Sequence, residues 1–233
     1  MGQPPKSEIE RMKREKREAK ANKKRAVNTR SMIVRFLIVC EGACTEPYYF
    51  KALVRDKNNR FSEIKEEDIR GEGYQTRTLV ERTLAIKAEL EKNRQLLFDR
   101  VWVVFDEDGK NDFNEAIVLA RKYGFCCAWT NEAFELWYLL HFVYLDTAIT
   151  RHDYIKKLEE QIRLRSKDKS YRYEKNDPQM YRLLQELGDQ SLAKRYAENL
   201  RANFEGDNFK LHKPCTMVDK LVDEIEHPER LPI

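Results

Sequence analysis

Two short runs constrain this chain more than anything else in it. SMIVRFLIVC (31–40) and VWVVF (101–105) are almost continuous in apolar, β-branched and aromatic residues, as strands covered on both faces must be. Around them strand and helix patterns alternate. EGACTEPYYFKALVRDK turns through Gly42 and restarts as a helix, with Thr45 as N-cap and Pro47 tolerated in the first turn. A weaker strand follows at 64–70, then a helix over 76–95, a helix over 113–123, the strand FCCAW (125–129) and a helix over 133–142. This succession predicts an α/β fold, a parallel sheet flanked by helices on both faces. From about residue 150 the pattern is helical, over 152–165, 177–204 and 216–226. The expected division is an N-terminal arm (1–30), an α/β domain (31–145) and a mainly helical C-terminal region (146–233) packing on it.

The formal net charge of +4 is unevenly spread. Residues 1–30 carry eleven Lys or Arg against four Glu, and the remainder carries 33 basic against 36 acidic residues. The basicity belongs to SEIERMKREKREAKANKKRA, whose Ala, Lys and Glu favour helix after a capping box at Ser7 and Glu10. Two readings stand open for it. It is a solvated, frayed helical tail, or an arm that lays Lys13, Arg14, Lys16, Arg17, Lys23, Lys24 and Arg25 along nucleic-acid phosphates and releases counterions. No apolar run is long enough to span a membrane, no secretory segment follows the start, and five cysteines form no C-x-x-C pair. These features predict a cytoplasmic protein with neither disulfide framework nor zinc site. The sequence also holds no Walker A loop, so it carries no motif for powering translocation.

VWVVFDEDGK poses the chemical question, because a run built for burial ends in three carboxylates. In open α/β sheets ligands bind at the carboxyl ends of the strands. Glu41 follows the first strong strand, and Asp106 and Asp108 follow the third. On neighbouring strands these would converge at one rim with Lys110 alone beside the Asp-x-Asp run in the sequence, and clustered carboxylates repel unless a divalent cation holds them. Hard oxygen donors at that density suit Mg²⁺ or Mn²⁺. The plain alternative is that acidic residues are common in turns after strands. Glu46, in the first turn of the next helix, is a further candidate metal ligand, and Glu132 and Glu135 share one face at the start of another helix. Helix dipoles favour carboxylates at such places regardless of function. Asn131 reads as an N-cap, Trp137 as core, and His141 as either a hydrogen-bonded core residue or a phosphate contact. His212 and Lys213 in FKLHKPCT either supply cationic charge to a transition state or belong to a loop. GEGYQT (71–76) reads as a plain turn or as glycines before a helix that let a phosphate approach. Tyr171, Tyr173 and Tyr181, among Arg and Lys in and near KSYRYEK, belong to a solvated basic loop or stack on unpaired bases.

IVCEG (38–42), TEPYYF (45–50), VVFDEDG (103–109) and NEAFELWYLLHF (131–142) together resemble the RloB-like family of bacterial defence proteins, which is assigned to the Toprim (topoisomerase–primase) fold. A strand ending in Glu-Gly and a later strand ending in Asp-x-Asp are the two Toprim signatures. The helix with Glu-Leu-Trp and a His at its end is particular to the RloB-like group. Relatives carry a Ser-Asn-Pro-Cys-like lead-in where this chain has Thr130-Asn131-Glu132-Ala133. The resemblance implies a Toprim-like sheet and Mg²⁺-dependent (or Mn²⁺-dependent) chemistry on a phosphodiester. Glu41 would be general acid/base or metal ligand, Asp106 and Asp108 metal ligands, and Glu135 and His141 further catalytic candidates. The function implied is a nuclease that cuts RNA or DNA in anti-phage defence of the abortive-infection kind. Nucleic acid, a second defence protein such as an ATPase, and a second copy in a homodimer are the partners in keeping with it; a membrane is not. Two other classes stay open, a nucleotidyl-transfer enzyme of primase type and a non-catalytic nucleic-acid-binding or sensor subunit.

Overall fold

A computed structural model of the chain describes residues 33–107, 109 and 111–231, together with Glu10, Lys13, Arg14 and Lys16. Residues 1–33 and 34–233 form two separate compact units. In the first, the four described residues before Ile33 are helical and exposed. Of the candidate site residues, Arg17, Lys23, Lys24, Arg25 and Asp108 lie outside the described residues.

The second unit is built on a parallel sheet, which among the described residues has five strands. β1 (Val34–Cys40) lies inside it. β2 (Ser62–Glu63) and β3 (Ile69–Gly71) pair in tandem with one of its edges, β4 (Arg100–Glu107) pairs with the other, and β5 (Cys126–Asn131) pairs with β4. The first connections are helices α1 (Thr45–Lys57), α2 (Thr76–Arg94) and α3 (Phe113–Lys122). After β5 come α4 (Glu135–Leu140), α5 (Arg151–Arg165), α6 (Met180–Leu187), α7 (Gln190–Ala202) and α8 (Val218–Glu226). The α/β class with a helical C-terminal region expected from the sequence is the one observed.

Strand periodicity explains the two cores. Side chains alternate faces along a strand. Phe36, Ile38, Cys40, Trp102 and Val104 therefore pack on one side with α1, α4 and the helices after residue 150, whereas Leu37, Val39, Val101, Val103 and Phe105 pack on the other with α2 and α3. Both faces are covered, which is why the β1 and β4 runs have no polar alternation. The far edge of β5 meets the C-terminal segment, where Thr216 bridges Thr130 in antiparallel sense and Asn131 donates its backbone N–H to Cys215 at 2.9 Å. That contact covers a strand edge that would otherwise be an aggregation template.

Three boundaries differ from the sequence reading, each for a local reason. The strand expected over 64–70 is broken by a 3₁₀ turn at Glu66–Asp68, which Arg94 pins through Asp68 and Glu67, both at 2.6 Å. The helix expected over 177–204 breaks at Gly188. A Cβ there would lie 2.9 Å from the Cβ of His141, and Asp189 restarts the chain as the cap of α7, accepting from the backbone of Ser191 and Leu192. Thr45 is not a cap but the first residue of α1, and its hydroxyl donates to Asn176 Oδ1 at 2.8 Å. No helix among the described residues is long and apolar enough to cross a membrane.

Candidate functional site

β1 and β4 are neighbours in parallel register, Cys40 opposite Val104, and the Glu41 backbone N–H donates to Val104 O at 2.8 Å. The two strands thus deliver Glu41 and Asp106 to the same rim, as the sequence predicted. β4 carries on two residues past VWVVF, so Asp106 and Glu107 are strand residues and obey its alternation. Asp106 continues the face of Trp102 and Val104, toward α1 and α4; Glu107 continues that of Val103 and Phe105.

On the Asp106 face lies a cleft of about 250 Å³, lined by Glu46, Asp106, Glu135, Arg151, Lys175, Asn176 and the Gly42–Thr45 loop. Glu46 comes from the first turn of α1, and its buried Oε2 has no hydrogen-bond partner. Gly42 makes room for it, since a Cβ on that residue would sit 2.0 Å from Glu46 Oε2. Gly71 in turn lets β3 approach, for a Cβ there would fall 2.4 Å from Gly42 O. The GEGYQT turn is therefore part of the rim's architecture, and Glu72 and Gly73 donate their backbone N–H groups to Cys40 O and Glu41 O.

Electrostatically the cleft is strained. Burial, and then the charges of Glu135 and Glu41, push the Glu46 carboxyl up to about 7, against the pull of its own backbone N–H and of Lys175. Burial also raises Asp106 well above the usual carboxylate range, with Glu46 and Glu135 adding to it and Arg151 and the Phe134 N–H opposing. Asp106 Oδ2 accepts from Phe134 N at 3.1 Å and faces Arg151 Nη2 at 3.4 Å. Glu135 accepts from the Tyr173 hydroxyl at 3.0 Å.

The structure brings Glu41, Glu46, Asp106 and Glu135 together and leaves other candidates elsewhere. His141 ends α4 in the core, with Nδ1 2.9 Å from Trp137 O and its ring edge-on to Trp137; burial lowers it to about 4, so its imidazole is neutral at pH 7. Lys213 forms an ion pair with the fully buried Glu107 on the opposite face and lies 3.7 Å from Glu132. His212 stacks on Phe204. Asn131 is not a helix cap. It ends β5 and donates from Nδ2 to Phe209 O. Glu132 and Glu135 do not share a helix face, because Glu132 precedes α4 in the left-handed region (φ 70°), where a proline could not stand.

The cations of the cleft are distant in sequence, Arg151 and Lys175 coming to it from more than 40 residues beyond Asp106. One expectation is corrected: the tyrosines of the KSYRYEK region are not a solvated or stacking surface. Tyr171 and Tyr173 pack on the core, and Tyr181 is buried and donates to Asp56 at 2.8 Å. Arg151 and Lys175 were missed by the sequence reading, and the one local signal for Arg151 was its place after Thr150, which caps α5.

The donor set of the cleft fits a hard divalent cation in its chemistry. It offers three carboxylates, Glu46, Asp106 and Glu135, with Glu41 close enough to act on Glu46, whose buried Oε2 is orphaned; such an ion would relieve their mutual repulsion. Among the described residues no three of these side chains stand grouped as ligands of a single ion. No curated protein and no solved structure matches the chain. The sequence model of the RloB-like proteins, in contrast, matches residues 36–225, which takes in the sheet, the cleft and the helices behind it, and the chain belongs to that family.

Proposed function

We propose that this RloB-like protein is a Toprim-type, metal-dependent nuclease that hydrolyses phosphodiester bonds of RNA or DNA, acting in anti-phage defence. The observation that carries the reading is the convergence of Glu46, Asp106 and Glu135 on one cleft, with raised Glu46 and Asp106 carboxyls, Glu41 close enough to act on Glu46, and Arg151 and Lys175 in the same lining. Perturbed carboxylates gathered in a concave polar site are the usual mark of chemistry rather than of packing.

Glu41 and Asp106, with Glu46 and Glu135 beside them, are the residues that would hold Mg²⁺ or Mn²⁺. Such an ion supplies charge neutralisation on the phosphoryl oxygens and a water acidic enough to attack at neutral pH. The chain's own groups do the rest. The Gly42–Thr45 loop and the Phe134 N–H fix the orientation of Glu46 and Asp106. Tyr173 holds Glu135 by its Oε1. Arg151 and Lys175 give one wall of the cleft the positive charge that a polyanion requires.

The test is cleavage of labelled total RNA, purified tRNA and plasmid DNA with Mg²⁺, Mn²⁺ or EDTA, comparing the native chain with Glu41→Gln and Asp106→Asn. Metal-dependent cutting that falls at least about 100-fold in both variants, with unchanged melting curves, supports the nuclease. Labelled nucleotide incorporated in place of fragments released would favour nucleotidyl transfer. Binding without turnover would favour a sensor subunit.

A further inference from the structure

One member of the cleft has a geometry that a fixed substrate-binding residue would not need. Arg151 opens α5, and its Nη2 makes one long contact with Asp106 Oδ2 at 3.4 Å and donates to Glu132 O at 3.2 Å. Its Nε has no hydrogen-bond partner, and 42% of the side chain is exposed. Guanidinium groups bind carboxylates best in a two-point fork, so this single contact holds it loosely. Asp106 meanwhile stands among Glu46 and Glu135, both of which add to its repulsion. When it is ionised, its oxygens need positive charge beside them, from a metal ion or from Arg151.

We propose that Arg151 is a two-position residue. With no cation among the carboxylates its guanidinium is the counter-ion of Asp106; with a cation there it swings into the cleft and takes a non-bridging oxygen of the substrate phosphate. The second position rests on the nuclease reading, whereas the first rests on the carboxylate cluster alone. The physical reason for the exchange is that a divalent ion on Asp106 supplies the charge Arg151 had supplied and repels the guanidinium at contact distance. The half-buried side chain can rotate without unpacking α5, whose buried side is formed by Tyr154, Leu158 and Ile162. Phosphate is then the natural new partner, since the fork of a guanidinium matches two of its oxygens.

Competition gives this proposal a signature of unusual sign. Removing a residue that merely supports the site weakens metal binding; removing a competitor strengthens it. The measurement is titration calorimetry of Mn²⁺ into nucleic-acid-free protein, for the native chain, Arg151→Met and Arg151→Lys. A labelled short oligonucleotide is then titrated in Ca²⁺. Arg151→Met should bind Mn²⁺ roughly three- to tenfold more tightly, as loss of a partly exposed opposing charge allows, and should bind the oligonucleotide more weakly. Arg151→Lys should keep near-native Mn²⁺ affinity. Arg151→Gln, which preserves a donor to Glu132 O, repeats the comparison if the Met variant melts early. Unchanged or weaker Mn²⁺ binding in the neutral variants overturns the proposal, and unweakened oligonucleotide binding overturns its second position. A native protein that cuts no nucleic acid, while Arg151→Met still gains Mn²⁺ affinity, refutes the nuclease reading and leaves the counter-ion in place.

Discussion

Glu46→Gln should stabilise the metal-free protein, by an amount that grows with pH. Glu46 is 6% exposed, and its carboxyl is pushed from 4.5 up to about 7 by burial and by Glu135 and Glu41. In the unfolded chain the proton leaves near pH 4.5, while the native state keeps it until about 7. Native protein therefore binds more protons than unfolded protein across that window, and stability falls as pH rises through it. At about 1.36 kcal/mol per unit, the raised carboxyl costs on the order of 3 kcal/mol above pH 7. Glutamine carries no charge to desolvate, and because the strain is shared with Asp106 and Glu135 it recovers roughly 1–3 kcal/mol of this, or roughly 3–10 °C in Tm for a chain of this size. Melting curves in EDTA from pH 5 to 8 measure it. The variant should gain little over the native chain at pH 5 and reach its full advantage at pH 8. Saturating Mn²⁺ should stabilise the native chain at pH 8 by mass action and so narrow the gap. An advantage equal at pH 5 and pH 8, or no advantage, would mean that Glu46 is neutralised by Lys175 and that the cleft is not strained.

Gly42→Ala should displace the Glu46 carboxylate, since the new Cβ would overlap Oε2 at 2.0 Å; Mn²⁺ affinity measured by calorimetry should drop several-fold with a change in Tm of only a few degrees, the clash being with a flexible side-chain end. Lys213→Met leaves Glu107 buried with Lys210 at 3.8 Å as its nearest remaining cation among the described residues, and chemical denaturation should show a loss of about 3 kcal/mol. Tyr173→Phe removes the donor to Glu135 Oε1; it should destabilise the metal-free protein by about 1–2 kcal/mol, and melts with and without Mn²⁺ should show a smaller penalty when the ion is present.

The acidic half of the cleft was legible in the sequence because it is local to strand ends. Glu41 and Asp106 follow from the two apolar runs, and the parallel pairing then brings both strand ends to one rim. Glu46 was legible for the same reason, lying one helical turn into the connection that β1 must make. What the local pattern missed was Glu107. Strand alternation turns it away from Asp106 toward a lysine 106 residues later, and nothing near residue 107 announces that partner. His141 was left open between a core and a chemical role, and the structure gives it the core one. Its place in an apolar helix allowed a chemical role, yet a lone imidazole surrounded by core is held by the nearest carbonyl, here that of Trp137.

The distribution of charge along the chain bears on why the helical region exists at all. The cleft's carboxylates come from residues before 136, and Arg151 and Lys175 come from residues after 150. A sheet with only its first three helices would present a rim of like charges with one face of β1 and β4 covered by α1 alone, because Phe36, Ile38, Trp102 and Val104 pack in the same cluster as Tyr154, Leu158, Leu184, Leu200 and Leu221. The helices after residue 150 thus meet two needs with one docking. They bury the second face of the sheet, and the same docking carries Arg151 to Asp106, Lys175 into the cleft and Tyr173 to Glu135. Apolar burial is the larger energy of the two, so packing can hold cations beside a carboxylate cluster that electrostatics alone would not assemble. A site positioned in this way keeps its geometry while its charges change partners, which is what the proposed binding of a metal ion and then a polyanion would demand of it.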